Sequence, residues 1–281
     1  MAYIIDGKKI AAEFRAQLAL DVASLTQTRN ITPGLAVVLV GNNPASEVYV
    51  RMKKKACADV GIASFSHELP IDTTEDDLLA LVNRLNHDPN VHGILVQLPL
   101  PPQIHESRII QAISPRKDVD GFHPENVGLL ATGSPGLRPC TPLGIMALIA
   151  KSGMDPAGKH AVIIGRSNIV GKPVALMLLQ AHATVTICHS RTHHLQQVIS
   201  SGDIVVAAIG RPRFLGKEAI QEGAVVIDVG TNRLEDGTLC GDCDFEAIKH
   251  KASAITPSPG GVGPMTIAML LANTIQAAQQ S

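Results

Sequence analysis

The segment His160–Gln180, HAVIIGRSNIVGKPVALMLLQ, decides the fold. Its first five residues form an apolar, β-branched-rich run. Gly165–Pro173, GRSNIVGKP, is a glycine turn, and Val174–Gln180 is an amphipathic stretch. Strand, glycine turn and helix together present backbone N–H groups and a helix N-terminus to a phosphate. The turn is not a nucleotide-triphosphate loop. Five residues separate Gly165 from Gly171, and Pro173 stands where a magnesium-binding hydroxyl is needed. Nor is it a regular GxGxxG. Read alone it also fits a plain strand–helix turn. A second glycine turn, Pro257–Thr266 (PSPGGVGPMT), likewise precedes a helix.

Working outward, apolar strands alternate with helical patterns along the whole chain. Ile10, Phe14, Leu18, Val22 and Leu25 recur at helical spacing. Strands are expected at Leu35–Val40, Ser64–Leu69, Val91–Val96, Thr184–Cys188, Ile204–Ala208, Ala224–Val229 and Ala254–Ile255. Ser46 is expected to cap a helix running to Val60. Thr74 with Asp77 caps another, with Leu78, Leu81, Val82 and Leu85 on one face. Further helices are expected at Ser107–Ile113, Leu143–Lys151 and Met265–Gln279, and loop at Asp118–Gly128. Strands apolar throughout and separated by helices indicate parallel sheets covered on both faces. The Pro- and Gly-rich stretch Gly133–Pro142 is the best boundary. The expectation is an α/β protein with two parallel-sheet domains. Residues 1–140 form the first, joined by a C-terminal helix at 265–281, and 141–264 form a Rossmann-like second domain. The active site is expected in the cleft between them.

Composition narrows the function. The 281 residues are 45% hydrophobic, enough for two cores, and the net charge is −1. That charge gives no electrostatic case for nucleic acid or anionic lipid. With no Trp, two Tyr and five Phe, base-stacking platforms are not expected either. No apolar run reaches the roughly 18 residues of a membrane span. Asp6, Lys8 and Lys9 interrupt the start where a signal peptide needs an apolar core. These features predict a cytoplasmic protein with neither nucleic acid nor membrane as partner. Five scattered cysteines suit a reducing compartment. Cys240 and Cys243 form a lone CxxC without the two further ligands that zinc needs. The Gly241–Asp242 pair inside it favours a turn, and no metal is expected.

In NAD-binding folds an acid about 20 residues past the glycines holds the ribose 2′-hydroxyl. Here the strand ending at Cys188 runs into His189, Ser190 and Arg191. A hydroxyl and a guanidinium suit a 2′-phosphate, and Arg166 can join them. NADP is therefore expected over NAD. In the first half, Tyr49 and Lys53 share one helical face at i, i+4. Gln97 ends a buried strand, and Asp120 lies in the loop KDVDGF. Open parallel sheets bind ligands beyond the carboxyl ends of their strands, which is where Gln97 falls. Charge patterning alone also allows Lys53 to belong to a solvated Lys53–Lys55 face.

These residues carry a resemblance. YVRMKKKAC from Tyr49, GILVQLPLP from Gly93, KDVDGFHPENVG from Lys117, RPCTPLG from Arg138, GRSNIVGKP from Gly165 and PGGVGPMT from Pro259 stand in this order. With them the chain resembles the bifunctional methylenetetrahydrofolate dehydrogenase/methenyltetrahydrofolate cyclohydrolase (FolD-type) family. That family usually has Ile at Thr231 and Val at Ser258. The resemblance implies NADP-dependent oxidation of 5,10-methylenetetrahydrofolate to the methenyl form. Hydrolysis to 10-formyltetrahydrofolate follows at the same site, within the one-carbon metabolism that supplies purine, histidine and methionine biosynthesis. It implies Lys53 as acid/base, Tyr49 against the folate, Gln97 tuning Lys53 and Asp120 on the pterin. Gly165, Arg166, Ser167, Ser190 and Thr231 match cofactor positions, and Gly260, Gly261 and Pro264 the folate-lining element. A homodimer formed through the cofactor domains is also implied. Two other classes remain: an NADP-dependent dehydrogenase without hydrolysis, and a non-enzymatic nucleotide sensor. The Tyr49, Lys53, Gln97 and Asp120 set argues against both, since neither needs it.

Overall fold

The computed structural model describes residues 1–44 and 46–281. In chain order the regular elements begin with β1 (Tyr3–Ile4), α1 (Gly7–Arg29), β2 (Gly34–Val40), α2 (Pro44–Val60), β3 (Ala63–Leu69) and α3 (Glu75–His87). There follow β4 (Gly93–Val96), α4 (Glu106–Ala112), α5 (Pro124–Thr132), α6 (Cys140–Lys151), β5 (His160–Ile164), α7 (Gly171–Gln180) and β6 (Thr184–Cys188). The chain ends with α8 (Leu195–Ile199), β7 (Ile204–Ala207), β8 (Val225–Asp228), β9 (Asn232–Arg233), β10 (Leu239–Cys240), α9 (Phe245–Ile248), β11 (Ala254–Ile255) and α10 (Val262–Gln279). Two compact units result, Glu13–Cys140 with Ile267–Ser281, and Met1–Ala12 with Thr141–Thr266.

The first unit is built on a three-stranded parallel sheet, order β3-β2-β4. All seven residues of β2 are buried, as a central strand covered on both faces requires. Ala36, Val38 and Val40 join Leu78, Leu81, Val82 and Leu85 of α3 and Ile94 and Val96 of β4 in one apolar cluster. The Thr74 hydroxyl accepts the Asp77 N–H at 3.1 Å, so α3 begins where the sequence places it and buries the expected face. Burial of each such Leu or Val stabilises by about 1.5–3 kcal/mol. The end of α10 belongs to this unit. Its Asn273, 2% exposed, donates to the carbonyls of Val119 and Arg138, each at 2.8 Å.

The second unit holds a six-stranded sheet, order β1-β11-β8-β7-β5-β6, parallel throughout, and a small antiparallel β9–β10 pair. Val162, Ile164, Val205, Ala207, Val226 and Ile255 supply one face of its core. Residues 1–12 sit here rather than with the first half, where the sequence boundary assigned them. The cause is long-range pairing: Tyr3 and Ile4 register against Ala254 and Ile255, and the Ile5 N–H donates to the Ile255 carbonyl.

Three local expectations are corrected. The loop expected at Asp118–Gly128 gives way at Pro124 to α5, whose His123 side chain accepts the Glu125 N–H and whose Pro124 stands in the first turn. Ser46 lies inside α2 and does not cap it; Asn43 Oδ1 accepts the Ser46 N–H at 3.2 Å. The final helix starts at Val262, so Pro264 falls within its first turn.

Candidate functional site

In the three-stranded unit α2 carries Tyr49 and Lys53 one turn apart, with Tyr49 41% exposed. The three consecutive lysines diverge, as 100° steps around a helix dictate. Lys53 Nζ donates to Gln97 Oε1 at 3.0 Å, Lys54 pairs with Glu68 at 2.9 Å, and Lys55 is exposed. Lys53 and Lys54 are both half-buried, and only Lys53 meets Gln97. Gln97 directly follows β4, and its own N–H donates to the Val38 carbonyl at 2.8 Å. Its Nε2 donates to the Leu98 carbonyl at 2.8 Å, which turns Oε1 toward the ammonium. Leu98–Pro99 is a cis peptide.

Asp120 stands beside Lys53 in the same unit, in the loop between α4 and α5. Burial pushes its carboxyl up to about 6, the Lys53 charge opposing and the Asp118 charge adding to the effect. A recess lined by Val96, Leu98, Ile109, Phe122 and Asp118 adjoins it. The loop is held from below. Asp118 accepts the N–H of His123 and the amide of Asn126, while Asn273 holds the Val119 carbonyl. Cys140 is buried here too, its thiol donating to the Val119 carbonyl at 3.1 Å and pushed well above the ordinary range by burial. Nothing in the sequence pattern singles out Asn273, since Gln276 and Gln279 lie in the same helix. A separate surface cavity of about 530 Å³ beside His67, Asp72 and Arg84 touches none of these groups.

In the six-stranded unit β5 leads through the glycine turn into α7. Gly165 has φ +120°, and a Cβ there would fall 2.1 Å from the Ala208 carbonyl oxygen. Only glycine fits. The Ser167 hydroxyl accepts the N–H groups of Val170 (3.1 Å) and Gly171 (3.3 Å), closing the turn. Its own proton remains available as a donor. Arg166, Ser190 and Arg191 are exposed, the last two just beyond β6. The Thr192 hydroxyl accepts the His189 N–H at 2.9 Å, and His189 Nδ1 accepts the Arg191 N–H at 3.1 Å. Thr231, exposed, follows β8. Gly260 and Gly261 precede α10 in this same unit. A glycine turn at a helix N-terminus, flanked by hydroxyls and guanidinium groups and lacking an acid after β6, fits a phosphorylated dinucleotide with a 2′-phosphate.

A parallel sheet with that turn defines a Rossmann-like dinucleotide-binding protein, and the other unit brings a lysine, an amide and a carboxyl together. Residues 5–120 match the tetrahydrofolate dehydrogenase/cyclohydrolase catalytic domain, and residues 139–281 the NAD(P)-binding domain of the same family. The chain belongs to the tetrahydrofolate dehydrogenase/cyclohydrolase family. It is 62% identical to the bifunctional protein FolD of Magnetococcus marinus, over 100% of this chain and 99% of that one. The crystal structure of the bifunctional FolD methylenetetrahydrofolate dehydrogenase/cyclohydrolase of Campylobacter jejuni superposes with a TM-score of 0.97 at 50% identity, covering 100% and 99% of the two chains. The Trypanosoma brucei enzyme, solved with NADP and an inhibitor, gives 0.95 at 40% identity, covering 99% and 98%.

Proposed function

We propose that Lys53, Gln97, Asp120 and Tyr49 form the folate site of a bifunctional enzyme, and that Gly165, Arg166, Ser167, Ser190, Arg191 and Thr231 hold its NADP. The enzyme oxidises 5,10-methylenetetrahydrofolate to 5,10-methenyltetrahydrofolate and hydrolyses that to 10-formyltetrahydrofolate. The observation that carries the assignment of roles is the 3.0 Å hydrogen bond from Lys53 Nζ to Gln97 Oε1.

NADP, when bound, supplies the hydride acceptor for the first step. The chain's part in that step is placement, because the lone pairs of the flanking nitrogens expel hydride from the N–CH₂–N carbon without a proton being removed from it. Asp120 accepts hydrogen bonds from the amino-pyrimidinone edge of the pterin, Tyr49 lies against the folate, and Gly260, Gly261 and Pro264 line it. Hydrolysis asks more of the side chains. Water adds to the carbon between the two nitrogens and gives up a proton. One nitrogen gains a proton, its bond to carbon breaks, and the hydroxyl proton leaves as the formyl group forms. One proton is released overall. Lys53 carries these transfers. Gln97 orients it as a neutral acceptor, which does not fix the ammonium in its charged form as a carboxylate would.

We further read the unit of residues 13–140 with 267–281 as the folate-binding part and that of residues 1–12 with 141–266 as the cofactor part of a cytoplasmic homodimer. It would act in the one-carbon supply to purine, histidine and methionine synthesis, without nucleic-acid or membrane partners. Among the described residues no helix is long and apolar enough to cross a membrane.

The test is absorbance with methylenetetrahydrofolate and NADP. A methenyl chromophore that forms and then decays by catalysed hydrolysis supports the reading. Formation without catalysed decay leaves a simple dehydrogenase, and no reaction with NADP overturns the assignment. Light scattering that gave a fully active monomer at micromolar concentration would remove the dimer.

A further inference from the structure

Two buried carboxylates in the six-stranded unit play no part in this chemistry. Asp228, 3% exposed, ends β8, and Asp242, fully buried, lies between Cys240 at the end of β10 and Cys243. Asp228 Oδ1 accepts the N–H groups of Gly230 (3.0 Å) and Asp242 (2.9 Å), and Oδ2 that of Cys243 (2.9 Å). Asp242 Oδ2 accepts from Ile209 (2.8 Å) and Gly210 (3.1 Å). Its Oδ1 accepts from Arg211 (2.9 Å) and from Asn232 Nδ2 (2.9 Å). The approach is close: a Cβ on Gly241 would fall 1.8 Å from Asp228 Oδ2.

The bonds form one chain of anchors. Asp228 fixes the backbone at 242–243. Asp242 in turn fixes three successive amides after β7, and through Asn232 it fixes the turn after β8. Both segments leave the carboxyl ends of parallel strands, where open sheets bind ligands. Thr231 stands between Gly230 and Asn232, which are bonded to Asp228 and Asp242 respectively. Burying a carboxylate is costly unless its acceptor sites are filled. Here four donors converge on Asp242, so its oxygens dictate where those donors lie.

We propose that Asp242 is a positioning residue for the cofactor: it holds the backbone of residues 209–211 and, through Asn232, the turn bearing Thr231 in the arrangement that NADP binds. The proposal rests on the NADP assignment above. It gives the CxxC segment a role as the frame of a binding loop.

Two variants test it. Asp242→Asn preserves size but replaces one accepting oxygen with an amide that faces N–H donors. Asn232→Ala cuts only the link to the β8 turn. Each is measured by calorimetric NADP titration, by amide hydrogen exchange of the protein alone, and by methenyl hydrolysis, which uses no NADP. The expected result for Asn232→Ala is a rise of about tenfold in NADP Kd and KM, the size of one charge-assisted hydrogen bond, with methenyl hydrolysis retained. Asp242→Asn should in addition speed exchange at Ile209, Gly210 and Arg211 by tenfold or more. Lower melting temperature with unchanged NADP Kd in either folded variant would mean a purely structural role and overturn the proposal. Should Asp242→Asn fail to fold, Asn232→Ala decides alone. A wild-type protein that does not bind NADP overturns both this proposal and the functional reading. Wild-type binding with unaffected variants overturns this proposal only.

Discussion

Lys53 Nζ of α2 and Gln97 Oε1, just after β4, are 44 positions apart in sequence and meet at 3.0 Å. The partner is neutral, so the contact orients the amine without tying it to an opposite charge. The two proposed chemistries depend on it unequally.

Lys53→Met keeps the length of the side chain and removes the titrating group. We expect methenyl hydrolysis to fall by about 10²–10⁴-fold, the usual worth of positioned proton transfer, and oxidation to fall much less. Gln97→Ala should share the bias, with an added loss from placement. Separate assays of methenyl formation and methenyl hydrolysis, corrected for the spontaneous reaction, measure both. Near wild-type hydrolysis by Lys53→Met would take that lysine out of the mechanism.

Arg191→Ala and Ser190→Ala should weaken NADP by on the order of 10–100-fold and leave NAD nearly unaffected, since only NADP carries a 2′-phosphate. Kinetic titration with both cofactors checks this. Equal weakening would show that the loop after β6 does not face that phosphate.

Asp120 makes stability depend on pH. Burial raises its carboxyl from 3.8 to about 6. The folded state therefore prefers the protonated acid. That contribution is full below pH 3.8 and is lost as pH rises through the folded value of about 6. Two units correspond to on the order of 3 kcal/mol. Asp120→Asn cannot ionise, so it should match wild type near about pH 4 and exceed it by on the order of 2–3 kcal/mol near about pH 8. Urea unfolding at the two pH values reads the difference. A gap that does not vary with pH would mean that Asp120 is not desolvated by folding.

Gly165→Ala places a methyl 2.1 Å from the Ala208 carbonyl oxygen at φ +120°. It should lower the melting temperature by several degrees and abolish measurable NADP binding, since the strain of about 1–3 kcal/mol is joined by a collision with backbone. Gly153→Ala is the control: φ is +82° there, and nothing lies within 4 Å of the new Cβ. It should cost about 1 kcal/mol and leave NADP binding intact. Like effects from both would argue against a tight turn at Gly165.

Sequence signals suffice where local forces decide the structure. The capped, one-faced pattern of α3 names its own boundary and buried residues. The alternation of apolar strands and helices reveals parallel sheets, because strands covered on both faces have no polar side. The glycine turn and the missing acid after Cys188 point to the cofactor type in the same way. What the sequence hides depends on distant partners. β1 is two exposed residues that become a strand only by pairing with β11. Lys53 is indistinguishable from Lys54 and Lys55 until Gln97 arrives from β4. α5 resembles loop in the sequence because a histidine caps it and Gly128 interrupts its pattern. Asp242 reads as a turn residue, since nothing local reveals that four donors converge on it.

The pairing of β1 with β11 also bears on the order in which the protein can be made. One unit draws on residues 1–12 together with 141–266, and the other on 13–140 together with 267–281. A ribosome releases the chain from its first residue onward, so β1 emerges long before its neighbour exists. The unit of residues 1–12 and 141–266 is complete only when α10 has begun, and the unit of residues 13–140 only when residues 267–281 have followed. During translation the Val119 and Arg138 carbonyls must wait without Asn273, and partly assembled units of this kind are prone to aggregate. Completion of the two units therefore falls within the span of one helix, α10, and is not a succession of finished domains.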